Sequence, residues 1–329
     1  MKDSKISNGV KAIKPKALRE GDKIGIISPS EPIIYKKKFM RGIETLKKLG
    51  FRVVLGKNVF KEYGAYMAGT DKERAADLNA MFKNPEIKGI FASHGGFNSN
   101  RILDLIDWQN IKNHPKVFIG FSDITVLLNA IYKKTGLVTF HGQNVEYGFS
   151  RGIEKSNKYT IEYFSRAVMD TKPIGAIKNW EKIEILKKGG AKGILIGGNL
   201  SVLTTLIGTE YEPDWNHKIL LWEEVDETKQ DIDFLLTHLR LAGVFNKISG
   251  MVVGKLINCE KIPSHADWVK KDILPINKII LEICKDYNFP IIGNIVFGHS
   301  YPKLTLPIGV KATMDTSKKL FSIDEAAVI

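Results

Sequence analysis

Val117-Phe118-Ile119-Gly120-Phe121-Ser122-Asp123-Ile124-Thr125 is a short apolar run, then a glycine, then a serine set directly before an acid that can open a helix. A run of this length bounded by glycine reads as a buried strand. The residues from Asp123 to Lys134, closed by Gly136, read as the following helix. Strand, sharp turn and immediate helix are the demands of a nucleophile elbow, whose turn lifts the serine above the sheet. The Asp123 N–H and the helix N-terminus would then face a developing oxyanion. Ile124 stands where G-x-S-x-G has its second glycine, and serine is also a common helix N-cap. The segment therefore leaves two readings of Ser122, nucleophile or cap. Under both it is one strand-to-helix unit of an α/β fold.

The same rhythm extends outward. Upstream lie the apolar strand Lys23–Ser28, a helical period over Lys38–Leu49 closed by Gly50, and a strand over Phe51–Leu55. Thr70-Asp71-Lys72-Glu73 has the capping-box pattern, which predicts a helix from Asp71 to about Phe82. Gly89–Ala92 is a further strand that runs into Ser93-His94-Gly95-Gly96, and Leu137–Phe140 is another. Strands alternating with helices predict a parallel, flavodoxin- or Rossmann-like sheet over residues 1–150, with ligands collecting at the carboxyl ends of its strands. Residues 151–192 break the rhythm with Ser, Lys, Gly and Pro and read as a linker with a short helix at Ile161–Met169. Residues 193–329 read as a mixed α/β domain. Its strands fall at Lys218–Trp222, Gly250–Leu256 and Pro290–Asn294, and its helices at Asp231–Leu241 and Trp268–Tyr287.

Composition narrows the function. A chain of 329 residues can bury two cores of ordinary domain size. The formal charge of +13 comes from 49 Lys and Arg against 36 Asp and Glu. Its cations are mostly scattered lysines, a solvated surface rather than the arginine forks that read a nucleic-acid polymer. No apolar run approaches the ~20 residues of a membrane span. The first 22 residues have no continuous apolar core, so they do not read as a secretory signal, and the expected location is cytoplasmic. Cys259 and Cys284 have no CxxC partner, and no H-x-x-H or H-E-x-x-H occurs, so neither a disulfide framework nor a metal is expected. Neither a Walker motif nor G-x-G-x-x-G is present, and no cofactor is expected.

A serine nucleophile needs a base and a carboxylate behind it. Of seven histidines, His94, His141 and His299 follow strands in small-residue contexts, and spacing does not choose among them. Leu220-Leu221-Trp222-Glu223-Glu224 puts acids at the end of an apolar strand, with Glu223 the first and so the best placed for burial. Gly95-Gly96 lets backbone N–H groups approach a ligand, as a second oxyanion donor must, or else is only a tight strand-to-helix turn. Gly197-Gly198-Asn199 fits a domain junction as well as a phosphate loop.

These segments resemble, in order, the LD-carboxypeptidase family of serine peptidases. The likeness is carried by Asp22–Ser30, Ala68–Asp71 with Arg74–Asn79, Gly95-Gly96, Gly120–Thr125, Thr139–Gly142, Gly197–Leu200, Trp222–Val225 and Phe297-Gly298-His299. It runs from about Leu18 to Thr316. The resemblance implies a Ser122, Glu223, His299 triad, although the family usually has Glu-Asp where this chain has Glu223-Glu224. It also implies oxyanion donors at Asp123 and Gly96, with Gly95 the near alternative, and His94 and His141 outside the triad. The site would lie between the two domains.

Within the family, the typical members remove the terminal D-alanine of murein tetrapeptides in cell-wall recycling, and that is the activity the resemblance implies. Asn98-Ser99-Asn100 is instead similar to the microcin C immunity branch, which cleaves aminoacyl or peptidyl nucleotide analogues and stacks the base on a tryptophan. Gly95, Asn98 and Trp180 are the corresponding candidates for substrate contact, Trp180 also having the plainer reading of a packing anchor. The family also implies a homodimer. Outside it, the alternative is a non-catalytic α/β ligand-binding protein with Ser122 as cap and an anion on the glycine turns.

Overall fold

The protein is described by a computed structural model over residues 11–154, 157–260 and 274–329. In its first half, strands β1 (Lys23–Ile27), β2 (Arg52–Leu55), β3 (Ile87–Ala92), β4 (Val117–Gly120) and β5 (Thr139–His141) alternate with helices α1 (Lys36–Lys48), α2 (Asp71–Lys83), α3 (Trp108–Asn113) and α4 (Thr125–Thr135). The strands lie in the order β5-β4-β3-β1-β2 and all these pairs are parallel. This is the flavodoxin-like order, whose topological switch point falls between β1 and β3. All residues of β4 are buried, as expected for a sheet covered on both faces.

Local sequence explains the elements. At the start of α2 the Thr70 hydroxyl accepts the Glu73 N–H while the Glu73 carboxylate accepts the Thr70 N–H, so the predicted box forms. Helix α1 buries Phe39, Ile43 and Leu46 on one face. Helix α4 ends on Gly136, whose left-handed backbone lets its N–H close on Tyr132 C=O. It is buried almost all round because it packs on β4 and β5 and also on β8 (Gly190–Asn199) of the second sheet.

Residues 151–192, expected as a linker with a short helix, hold α5 (Lys158–Val168) and also β6 (Gly175–Ala176), β7 (Glu184–Lys187) and the start of β8. After them come α6 (Leu200–Thr204), β9 (Lys218–Val225), α7 (Lys229–Leu241), β10 (Gly250–Ile257), α8 (Ile276–Ile283), β11 (Ile291–Ile295), β12 (Leu306–Ile308), β13 (Lys311–Asp315) and β14 (Leu320–Ile323). The second sheet has the order β6-β14-β13-β8-β9-β10-β11-β7, with a parallel centre from β8 to β11 and antiparallel flanks. Of the helix expected over Trp268–Tyr287, the first six residues lie outside the described residues, and within the rest α8 covers only Ile276–Ile283, so the helix ends before Tyr287. Strand β12 crosses back to the first sheet and pairs antiparallel with β5, Leu306 opposite His141. Among the described residues no helix is long and apolar enough to cross a membrane.

Candidate active site

Strand β4 ends at Gly120, a position where nothing larger fits. A Cβ there would lie 2.7 Å from Ile124 Cγ2 and 3.1 Å from Ala92 Cβ. Ile124 thus fills the space that the usual second glycine leaves open. Ser122 follows with φ of 66°, a left-handed conformation that costs a non-glycine residue about 1–2 kcal/mol. That strain is held by the surroundings. The Asp123 carboxylate accepts Ser30 Oγ–H at 2.5 Å and the Ser99 N–H at 2.8 Å, and Ser99 Oγ donates to Asp123 C=O at 2.7 Å. The turns after β1, β3 and β4 are thereby tied together at the switch point. Burial pushes the Asp123 carboxyl up, and the bonds from Ser30 and Ser99 oppose this.

The Ser122 hydroxyl caps no helix. Its partner is His299 Nε2 at 3.2 Å. His299 Nδ1 lies 2.7 Å from Glu223 Oε2, which also accepts the His299 backbone N–H at 3.2 Å. With Glu223 accepting at Nδ1, the ring's proton sits there and Nε2 is free to accept from Ser122. Glu223 is fully buried. Burial pushes its carboxyl up, but His299, by charge and hydrogen bond, and His141 outweigh that and leave it below the ordinary range.

The pleat of β9 separates the two acids. Glu224 faces the other way, where it accepts from Asn199 Nδ2 at 2.7 Å and the Ser201 N–H at 2.7 Å at the start of α6, and from the adjacent Val225 N–H at 2.9 Å. Burial, then the Glu223 charge, push its carboxyl up to about 7. It is a structural acid, and Glu223 is the one that meets the histidine. Gly298 has φ of 73°, and a Cβ there would collide with the Glu223 carboxyl, so this glycine permits the contact.

The other histidines have different surroundings. His141 is buried between Phe297 and Phe121, and among the described residues neither ring nitrogen has a hydrogen-bond partner. Burial lowers its pKa to about 4. His94 borders the cavity over Ser122, 3.7 Å from Glu31 and 3.9 Å from Glu146, with Tyr147 against its ring. Burial holds it at about 4 as well.

The cavity above Ser122 is lined by Gly95 and Gly96 on one wall and by His299, Ser300, Tyr301 and Lys303 on the other. Asn98 and Trp180 are not among its lining residues. Asn98 adopts φ of 72° and its C=O accepts from Arg74 Nη1, so it shapes the turn after β3. Trp180 is 61% exposed and packs edge-on to Tyr159. Sequence reasoning missed Ser30 and Ser99, and missed Asn144, Tyr147, Arg151 and Lys303 in the lining. The available signal was position: Asn144 and Tyr147 closely follow the carboxyl end of β5, and Lys303 lies in the His299 loop.

A serine in an elbow, a histidine in contact with it and a buried carboxylate behind that histidine form a constellation suited to acyl transfer. Residues 24–142 match the model described as the LD-carboxypeptidase N-terminal domain, and residues 192–314 match the LD-carboxypeptidase C-terminal domain. A probable murein peptide carboxypeptidase of Bacillus subtilis (strain 168) is 35% identical over 94% of this chain and 94% of its own. The microcin C7 self-immunity protein MccF of Escherichia coli is 33% identical, again with 94% of each chain covered. The solved structure of MccF in complex with glutamyl sulfamoyl guanosine has a TM-score of 0.86 at 31% identity, over 96% of this chain and 99% of that one. The chain belongs to the LD-carboxypeptidase family.

Proposed function

We propose that the protein is a serine carboxypeptidase in which Ser122 is the nucleophile, His299 the general base and Glu223 the acid that orients it. The carrying observation is the continuous chain from Ser122 Oγ through His299 to Glu223 Oε2, at 3.2 Å and 2.7 Å, opening into a cavity. As Ser122 attacks the scissile carbonyl, His299 Nε2 takes its proton, and Glu223 stabilises the imidazolium. The oxyanion meets the N–H groups of Asp123 and Gly96, with Gly95 as neighbour. His299 returns the proton to the leaving amine, and water then hydrolyses the acyl-enzyme. No metal or cofactor enters this scheme.

The substrate in this reading is a small peptide, cut at an L,D amide before a terminal D-alanine as in a murein tetrapeptide, in the cytoplasm, by a homodimer whose nucleophile lies in residues 1–150 and whose acid and base lie in 193–329. The B. subtilis relative supports it. A second reading, an aminoacyl or peptidyl nucleotide, is favoured by the likeness to MccF in its complex with a glutamyl sulfamoyl nucleoside. Both substrates offered in parallel to the protein and to Ser122→Ala decide between them. Release of D-alanine that requires Ser122 is the expected result. Turnover of the sulfamoyl nucleoside alone would replace the first reading by the second, and turnover of neither, with no fluorophosphonate labelling of Ser122, would refute both.

A further inference from the structure

The cavity holds two cations for which the triad has no use. Lys303 is only 4% exposed, with its Nζ 3.8 Å from the centre of the Phe121 ring, yet it lines the cavity. Arg151 lines the same cavity, its guanidinium 3.9 Å from the centre of the Tyr301 ring. Among the described residues neither cation has a carboxylate within ion-pair distance. A buried ammonium without a counter-ion is costly. Burial pulls the Lys303 pKa down to about 7, with Glu223 opposing and Arg151 reinforcing the effect. A ring face alone is a weak partner for such a charge. A cation kept at this cost inside a catalytic cavity points to an anion that arrives with the substrate.

Geometry says which end of the substrate carries it. The donors suited to the oxyanion, Gly96 and Asp123, lie toward the turns after β3 and β4, while the leaving amine must reach His299 Nε2 for its proton. The leaving residue therefore lies on the His299 side. Phe121 spans that side, its ring centre 5.0 Å from the His299 ring and 3.8 Å from Lys303 Nζ. In a carboxypeptidase the leaving residue bears a carboxylate one carbon from that amine. The acids near the cavity, Glu31 and Glu146, instead flank His94.

We propose that Lys303, with Arg151 beside it, binds the free α-carboxylate of the leaving residue and so restricts cleavage to the chain terminus. This rests on the Ser122 and His299 assignment above. A longer peptide would put a neutral amide against Lys303 and leave the ammonium without a partner, so the pair selects against internal bonds as well as for terminal ones. A sulfamoyl or phosphoryl group next to the cleaved bond would offer the same anionic chemistry.

The test compares a murein tetrapeptide with a free D-alanine carboxylate, the same peptide as its C-terminal carboxamide, and aspartyl sulfamoyl adenosine, on the wild type, Lys303→Met and Arg151→Gln. The wild type should prefer the free acid over the carboxamide by on the order of 10–100-fold in kcat/KM, the size of a charge-assisted hydrogen bond. Lys303→Met should lose that factor on the acid and change the carboxamide by less than about threefold, and Arg151→Gln should lose a smaller part. Equal losses on acid and carboxamide, or a wild type without preference, would overturn the proposal. A loss confined to the sulfamoyl nucleoside would do so too, by assigning the anion to a nucleotide. Fluorophosphonate labelling of Ser122 needs no leaving-group carboxylate. An unlabelled wild type refutes the serine assignment itself, whereas a labelled Lys303→Met that keeps the acid preference refutes only the carboxylate site.

Discussion

Gly95→Ala tests how tightly Ser122, the proposed nucleophile, is held. An added Cβ would lie 2.8 Å from Ser122 Cβ and 3.1 Å from Ser122 Oγ, where carbon atoms ordinarily rest about 3.5–4.0 Å apart. One side must move by roughly 0.7–1.2 Å. The glycine turn is the less able to yield, because Gly95 C=O accepts the Glu31 N–H at 3.1 Å. The displacement therefore falls on Ser122, which already sits at φ of 66° and is 3.2 Å from His299. A misplacement of about 1 Å costs on the order of 10² in rate, close to 2.7 kcal/mol of barrier. The overpacking should also cost about 1–3 kcal/mol of folding stability. Gly190→Ala is the control, since its Cβ would meet only Met314 O, at 3.6 Å. The measurements are kcat/KM for D-alanine release, the rate of fluorophosphonate labelling, which depends on no substrate assignment, and urea denaturation of both variants. If Gly95→Ala labels within about threefold of the wild-type rate and unfolds at the same urea concentration, the close approach is not what positions Ser122.

Two further outcomes are expected. Gly298→Ala should press its methyl on the Glu223 carboxyl, break the contact with His299 and lower kcat by about 10²–10⁴. Gly208→Ala, at φ of 78° with nothing within 4 Å, should show only backbone strain of about 1–2 kcal/mol on denaturation, and equal kinetic loss in both would refute the collision. Glu224 has a folded pKa raised to about 7 from 4.5, so the stability tied to its protonation is complete below 4.5 and lost as pH rises through 7. From pH 5 to 8 the wild type should therefore lose about 2–3 kcal/mol more than Glu224→Gln in urea denaturation, and parallel profiles would contradict this.

What could be read from the chain was what is local. The elbow and the capping box at Thr70 are each specified within about a dozen residues, the alternation of the first sheet is a succession of such short segments, and all three form as expected. Strands β7 and β8 are hard to read because Glu184–Asn199 is rich in Lys and Gly, and the antiparallel partners of these strands, β11 and β13, lie about a hundred residues away. Period-2 alternation implies that Glu223 and Glu224 face opposite sides, but not which side holds the histidine. His299 stood out from His94 and His141 only through the family resemblance, since all three follow strands. Lys303 looked like one more surface lysine. Its burial against Phe121 comes from the way the loop after β11 folds over β4, which no local pattern records. Asn98 and Trp180 are the converse case, conspicuous in the sequence but with side chains not among those lining the cavity.

The crossing of β12 gives the active site an all-or-nothing character. The segment bearing His299 leaves the second sheet at β11 and is stitched into the first at β12, opposite the strand that carries His141. The separation of Ser122 and His299 is thus set by two anchored ends rather than by a free loop. On the proposed assignment neither half of the molecule is a weak version of the whole: one would hold a nucleophile that nothing deprotonates, the other a base with nothing to activate. Hydrolysis should switch on only when both sheets have formed and β12 has docked, so that catalysis itself reports completed folding.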